Sequence, residues 1–200
     1  MKEKQTNNLF PVFLKLEHKA VLIVGAGKVG LEKLQAILLN APSTTINLVG
    51  LKISSEIRDL AQTHSQIHIS ERVFLPSDLD GIDLVMIAIN DPVESERIRK
   101  MAVQNGKWVN AADKPELCDF YMGSIVQKGN LKIAISTNGK SPTIAKRLKE
   151  TLSELLPPEL DEVLDHMEKI RSRLKGDFAS KVQRLNELTR DLAKEGPAEI

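Results

Sequence analysis

Three stretches of this sequence hold residue types whose spacing can do chemistry. The first is Gly25-Ala26-Gly27-Lys28-Val29-Gly30, a G-x-G-x-x-G turn directly after the apolar run Lys19–Val24 and directly before a helical pattern. In that context the spacing is that of a dinucleotide-binding turn. The first glycine allows the tight turn, the second lets the backbone approach a pyrophosphate at the helix N-terminus, and the third allows close helix–strand packing. A glycine turn with no ligand is the plainer alternative. The second stretch, Asn110-Ala111-Ala112-Asp113-Lys114-Pro115-Glu116-Leu117-Cys118-Asp119-Phe120, closes a later apolar run. Asn110 and Asp113 fall near the carboxyl edge of the expected sheet, on the side of the glycine turn. A carboxylate beside a nicotinamide can act there as a general base; a loop aspartate satisfying backbone amides ahead of a proline is the alternative. Cys118 has no histidine near it in sequence and reads as a half-buried, inert thiol. The third stretch is the hydroxyl-rich loop Ser136-Thr137-Asn138-Gly139-Lys140-Ser141-Pro142. Ser136, Thr137, Lys140 and Ser141, with the free amides of a helix start, suit a ligand carrying several carboxylates or phosphates. Around it lie Lys128, Lys132, Lys140, Lys146, Arg147 and Lys149, with no acid between them. A solvated basic face is the alternative there.

One part of the dinucleotide fingerprint is absent. An acid that holds the ribose hydroxyls is expected about 20 residues beyond the glycines. The corresponding stretch is Val49-Gly50-Leu51-Lys52, and no carboxylate follows until Glu56. Lys52 is either a partner for an adenosine phosphate or a solvated lysine, so NAD and NADP both stay open. Asn90, at the end of another apolar run, is a candidate for the nicotinamide side; Asp91 reads more simply as a helix cap.

These residues need a scaffold, and the pattern of the chain supplies one. Strands are expected at Lys19–Val24, Thr44–Gly50, Gln66–Phe74, Asp83–Ile89 and Trp108–Asp113. Helices are expected at Val29–Asn40, at Ser54–Thr63 with Ser54 or Ser55 as cap, and from Asp91 to about Gly106. The last begins with Asp91 as N-cap, Pro92 at the first position and Glu94 at the capping-box position. Such alternation means a parallel sheet with helices on both faces, the Rossmann type. The pattern then changes to a hairpin turning at Lys128-Gly129-Asn130 and a helix from Ser141-Pro142 to Leu155. Pro157-Pro158 breaks the chain. Two helical faces follow, one of Leu160, Val163, Leu164, Met167, Ile170 and Leu174, the other of Phe178, Val182, Leu185, Leu188 and Leu192, read as a helical hairpin. The pattern divides the chain into 1–113, 114–156 and 157–200.

Composition excludes several classes. The 200 residues carry 28 Lys and Arg against 27 Asp and Glu, a formal charge of +1, which removes the bulk electrostatic case for nucleic acid or a membrane surface. Aromatics at 4% argue against a stacking platform for single strands. One Cys permits no internal disulfide, and neither it nor the four His has zinc-ligand spacing, so no metal-ligating residue is assigned. The N-terminal MKEKQTNNLF lacks the apolar run of a signal peptide, and no stretch reaches the roughly 18 apolar residues of a membrane span. A cytoplasmic protein is the expectation.

Taken together, FPVFLKLEHKAVLIVGAGKVG, NAADKPELCDF and LKIAISTNGKSPTIAKRLKE followed by LLP resemble the precorrin-2 dehydrogenase/sirohydrochlorin ferrochelatase family, the N-terminal part of siroheme synthase, over Leu9 to Leu192. The resemblance implies NAD-dependent oxidation of precorrin-2 to sirohydrochlorin, followed in many members by insertion of Fe²⁺ as a substrate to give siroheme. It implies a tetrapyrrole ligand and a homodimer, with 1–113 as an NAD-binding domain, 114–156 as a dimerisation segment and 157–200 as a helical domain; composition gives no nucleic acid or membrane partner. The family's key Asp aligns with Asp113 and the Asn near it with Asn110; its NAD contacts fall at Lys28-Val29 and Leu51-Lys52, and Thr137 matches a hydroxyl of its serine-rich loop. Similar proteins also lack the acid after strand two. The chain departs from the family at the glycine triplet, here Gly-Ala-Gly, at Ala88-Ile89-Asn90 and at Gly123. NAD would lie across the glycine turn, with the macrocycle between that edge and the basic loop. A dehydrogenase served by a separate chelatase, and a non-catalytic nucleotide-sensing Rossmann module, are the rival readings.

Overall fold

Five apolar residues, Ala20–Val24, form β1, and four of them are buried. Burial on both faces is the mark of a central strand in a parallel sheet. The structure, a computed structural model, describes residues 6–190. After β1 come α1 (Lys28–Asn40), β2 (Thr45–Gly50), α2 (Ser55–Thr63), β3 (Ile67–Glu71), β4 (Leu84–Ile87), α3 (Pro92–Gln104) and β5 (Trp108–Ala111). The strands pair in the order β3-β2-β1-β4-β5, all parallel. The chain winds outward through β2 and β3, then returns to the other side of β1. The reversal puts a topological switch point between β1 and β4, where ligands of open α/β sheets bind.

Alternation along β1 divides the core. Val21 and Ile23 pack with Leu34 and Ile37 of α1 and Ile57 of α2, while Leu22 and Val24 pack with Ile98 and Ala102 of α3. Ser54 caps α2, accepting the Ile57 N–H, and Asp91 caps α3, accepting the Glu94 N–H at 2.9 Å.

Four expectations need correction. Strand three ends at Glu71, not Phe74. Arg72 turns the chain and forks onto Asp78 at 2.6 and 2.8 Å, and Phe74 is buried off the ladder. Strand four covers Leu84–Ile87, because the Asp83 carboxylate accepts from the Ala20 N–H and Lys19 Nζ. Strand five stops at Ala111, and Asp113 lies in a turn at φ +56°. Glu94 makes no capping box; Arg97, three residues on, takes both its oxygens at 2.6 and 2.7 Å.

The described residues divide into two compact units, one ending at Met122 and the other beginning at Gly123. The second holds the hairpin β6 (Ser124–Lys128) and β7 (Leu131–Ile135), turned by Gly129 at φ +52°, then α4 (Pro142–Leu155), α5 (Leu160–Arg173) and α6 (Phe178–Leu188). Ser141 caps α4 and Asp177 caps α6. Asp161 of α5 accepts the Asn130 N–H at 2.7 Å and so ties that helix to the hairpin turn. Leu192, placed on the last helical face by the sequence, lies outside the described residues. No described helix is long and apolar enough to cross a membrane.

Candidate cofactor and proton-transfer site

The three glycines after β1 owe their identity to different neighbours. Gly25 sits at φ +110°, and a Cβ there would lie 2.3 Å from the Ala88 carbonyl oxygen. A Cβ at Gly30 would lie 2.0 Å from the Gly25 carbonyl oxygen. Both are demanded by the fold itself. Gly27 is exposed, and a Cβ there would meet nothing within 4 Å. Packing within the described chain therefore gives no reason for glycine at 27; approach of a ligand to the backbone does. Gly27 is the N-cap of α1 and offers no side-chain cap, and the first turn carries no acid. The first intrahelical bond runs from the Leu31 N–H to the Gly27 carbonyl, so the amides of Lys28, Val29 and Gly30 have no partner inside the helix. An exposed lysine in this turn opposes the helix dipole unless an anion joins it. The turn thus fits a dinucleotide pyrophosphate.

The end of β2 is pressed against this turn. A Cβ at Gly50 would come within 3.0 Å of Ala26, and the Ser54 N–H donates to the Ala26 carbonyl at 3.1 Å. Leu51 is 72% exposed and Lys52 is exposed beside it. Glu71, paired with Gly50 across the ladder, is a carboxylate at this edge that sequence reading passed over. It accepts from the Arg58 guanidinium and the Ile53 N–H, and these bonds hold it below the usual carboxylate range. Its oxygens are already engaged within the protein.

Ladder register fixes the other half of the edge. Val24, Ile87 and Ala111 are level across β1, β4 and β5. With strands about 4.8 Å apart, the glycine turn and the turn after β5 lie about 10 Å apart. The Ala112 N–H donates to the Ile87 carbonyl at 2.9 Å, closing the ladder. Asp113 follows in left-handed backbone, a conformation a non-glycine residue adopts at a cost. It is exposed, and its carboxylate accepts no hydrogen bond from the described residues. Asp119 is the aspartate that satisfies backbone here: its Oδ2 accepts the Val109 N–H at 2.9 Å and its Oδ1 accepts from Arg99 at 2.7 Å. Asn90 is exposed at the end of β4. Lys114 is turned away, donating to Ser95 Oγ at 2.7 Å.

Beneath this turn lies a cluster that sequence reading missed in part. Asn110, 4% exposed, donates from Nδ2 to the Phe120 carbonyl at 2.9 Å and accepts at Oδ1 from Lys33 Nζ at 2.6 Å. Cys118 Sγ lies 3.2 Å from both the Ala111 N–H and the Ala111 carbonyl. Burial pushes its thiol up from the ordinary value, against the opposing pull of the Ala111 backbone hydrogen bond and, more weakly, of Lys33. Lys33, between Glu32 and Leu34 on α1, had no sequence signal beyond that of a surface lysine.

In the second unit the hydroxyl loop is shaped by its own side chains. Ser136 Oγ accepts the Asn138 N–H at 3.2 Å, Thr137 Oγ1 exchanges bonds with the backbone of Ser141, and Ser141 Oγ accepts the Ile144 N–H. Asn138 and Gly139 are both left-handed. Lys140, Lys146 and Arg147 are exposed, and none of the three forms an ion pair with the described residues.

A strand, an open glycine turn and a helix at the switch point of a parallel sheet define a dinucleotide-binding α/β protein. A family model described as "Putative NAD(P)-binding" matches residues 12–124, and one described as "Sirohaem biosynthesis protein central" matches residues 128–155. The chain belongs to this NAD(P)-binding family, in the branch that includes the N-terminal part of siroheme synthase. Siroheme synthase 2 of Yersinia pestis is 35% identical over 174 residues, covering 87% of this chain and 36% of the relative. Siroheme synthase of Zymomonas mobilis is 33% identical over 165 residues, covering 82% and 34%. The chain thus spans about a third of the length of the curated relatives it matches. The solved structure titled SirC, precorrin-2 dehydrogenase, shares the fold at a TM-score of 0.72, with 24% identity and 94% of each chain covered.

Proposed function

We propose that this chain binds NAD across the glycine turn and oxidises precorrin-2 to sirohydrochlorin, and that it then inserts ferrous iron to give siroheme. The observation that carries the reading is Asp113, an exposed carboxylate in left-handed backbone, level with the open glycine turn and without a hydrogen bond from the described residues. The relatives named siroheme synthase supply the substrate class.

NAD, when bound, supplies the two-electron acceptor. Gly27 and the amides of Lys28, Val29 and Gly30 hold its diphosphate, and Gly25 sets the turn. Leu51 and Lys52 border the adenosine end and Asn90 the nicotinamide end. The macrocycle loses two electrons and two hydrogens: one hydrogen leaves with both electrons, and the other leaves as a proton to the Asp113 carboxylate. In iron insertion the pyrrole nitrogens shed protons as Fe²⁺ enters, and the same carboxylate accepts one. The substrate is a polycarboxylate, which gives Lys140 and the neighbouring Ser136, Thr137 and Ser141 a role in recognition; Asn110 supports the substrate side of the Asp113 turn.

In the same reading, residues 1–113 form the NAD-binding domain, 114–156 a dimerisation segment and 157–200 a helical domain, in a cytoplasmic homodimer. Support for the dimer comes from burial. In the second unit Val126 and Ala145 are the buried apolar residues among those described, while Ile144, Leu148, Leu155 and Phe178 are exposed by 45 to 84%. Apolar surface on that scale favours a covering partner.

The test is anaerobic incubation of the purified protein, first with precorrin-2 and NAD, then with sirohydrochlorin and Fe²⁺. The expected products are NADH with sirohydrochlorin, and then siroheme. NADH formation without metal insertion would leave a dehydrogenase served by a separate chelatase. NAD binding with neither reaction would leave a nucleotide-sensing module and overturn the reading.

A further inference from the structure

Asp113 stands in left-handed backbone at φ +56°, yet its own side chain takes no hydrogen bond from the described residues. Such a conformation persists where neighbouring structure enforces it. On one side Ala112 is fixed to β4, its N–H donating to the Ile87 carbonyl at 2.9 Å. On the other side Lys114 is fixed to α3: Nζ donates to Ser95 Oγ at 2.7 Å and to the Asp91 carbonyl at 3.4 Å. Ser95 is fully buried, and its hydroxyl donates in turn to the Asp91 carbonyl at 2.6 Å. One turn further along the same face of α3, Arg99 donates to Asp119 Oδ1 at 2.7 Å. Asp119 binds β5 as a strand would, through its N–H on the Val109 carbonyl at 2.7 Å and its Oδ2 on the Val109 N–H at 2.9 Å. Asp113 therefore sits on a loop whose two limbs are clipped to successive turns of one helix.

Neither cation serves α3 itself. Lys114 brings positive charge to the positive end of that helix, which opposes the dipole. Arg99 keeps Nη1 buried without a hydrogen-bond partner among the described residues, and a buried donor left so costs stability. What both contacts hold in place is the loop. We infer that Lys114 is a positioning residue: anchored on Ser95, it holds Asp113 in the left-handed turn at the cofactor edge, while Arg99 holds the far limb through Asp119. The role rests on the reading of Asp113 as the proton acceptor. Lys114 touches neither substrate nor cofactor and acts through Asp113.

The experiment uses Lys114→Met, Ser95→Ala and the two combined. Ser95→Ala keeps the charge and removes its anchor, so it stays informative if Lys114→Met fails to fold. The first readout needs no substrate. Cys118 is the single cysteine, and its Sγ lies within the loop, 3.3 Å from the Lys114 carbonyl and 3.2 Å from that of Ala111. Release of Lys114 should speed Cys118 alkylation at fixed pH by about tenfold, the worth of one charge-assisted bond in a local opening equilibrium. Loss of a cation does not itself speed the reaction, because a cation favours the thiolate. The second readout is turnover with precorrin-2. Each single variant should lower kcat about tenfold, and the double variant should lose no more than either alone, because the two side chains act as one unit. KM for precorrin-2 and the Kd for NAD should stay within about twofold of wild type. Arg97→Gln breaks the Glu94 pair on the same helix and should leave both readouts at the wild-type level. Wild-type kcat in both single variants would overturn the inference whatever the alkylation rate, because a merely structural contact behaves that way. So would a loss of kcat without faster alkylation, additive losses in the double variant, or an effect of Arg97→Gln as large as that of Lys114→Met. Should the wild-type protein itself fail to oxidise precorrin-2, the parent reading falls, while the alkylation rates still test the clip by themselves.

Discussion

Gly27→Asp separates folding from cofactor binding. A side chain at 27 meets nothing within 4 Å, so no clash arises inside the protein. The residue is the N-cap of α1 at φ −89° and ψ −159°, extended backbone open to any L-residue. Aspartate is a better N-cap than glycine, and its charge favours the positive helix end; together these are worth about 0.5–1 kcal/mol of added stability. The melting temperature should therefore rise by about 1–3 °C. The same carboxylate would occupy the amides proposed above to hold a diphosphate. A unit negative charge about 4 Å from a phosphate, at an effective dielectric near 20, repels it by about 4 kcal/mol. Even halved by solvent screening, that weakens binding by at least about 30-fold. Gly30→Ala behaves in the opposite way: its Cβ would lie 2.0 Å from the Gly25 carbonyl, so the fold loses stability by about 1–3 kcal/mol as overpacked sites do. Calorimetric titration with NAD and thermal melts of both variants are the assay. Unimpaired NAD binding by Gly27→Asp, or a stability loss as large as that of Gly30→Ala, would refute the assignment of the second glycine to the ligand.

Three further predictions follow from named contacts. Asn110→Leu leaves the half-buried Lys33 ammonium and the Phe120 carbonyl without their partner, and should cost about 1–3 kcal/mol in urea unfolding. Asp78 is held below its ordinary value chiefly by Arg72. The unfolded chain therefore binds more protons, so this stabilisation is fully present above the ordinary Asp value and is lost as pH falls through the lowered one. Melts of Asp78→Asn between pH 2 and 6, on the order of the Asp range, should show a flatter acid slope than wild type. Lys140→Ala should raise KM for the tetrapyrrole and reduce its dependence on salt, while the Kd for NAD stays unchanged.

Sequence made the parallel sheet legible because strands buried on both faces read as continuous apolar runs, and the glycine turn because its spacing sits between strand and helix. Strand ends were overextended where burial continues without pairing, as at Phe74, since apolarity reports contact with the core and not hydrogen bonding. Glu94 misled because a charged neighbour, Arg97, outcompetes a backbone amide for its oxygens. Asp113 and Asn110 were singled out from their place at a strand end. Lys33 was not, since its partner stands 77 residues away and its neighbours on α1 give it an ordinary helical setting. The loop hydroxyls were read as ligand donors; their local bonds also shape the loop, which spacing does not reveal.

The most direct test compares NADH formation from precorrin-2 by the wild-type protein and by Asp113→Ala, with the Kd for NAD measured on both. Turnover is expected in the wild type, with a loss of about 10²–10⁴-fold in the variant and equal NAD affinity. Equal turnover by the two proteins would contradict this role of Asp113.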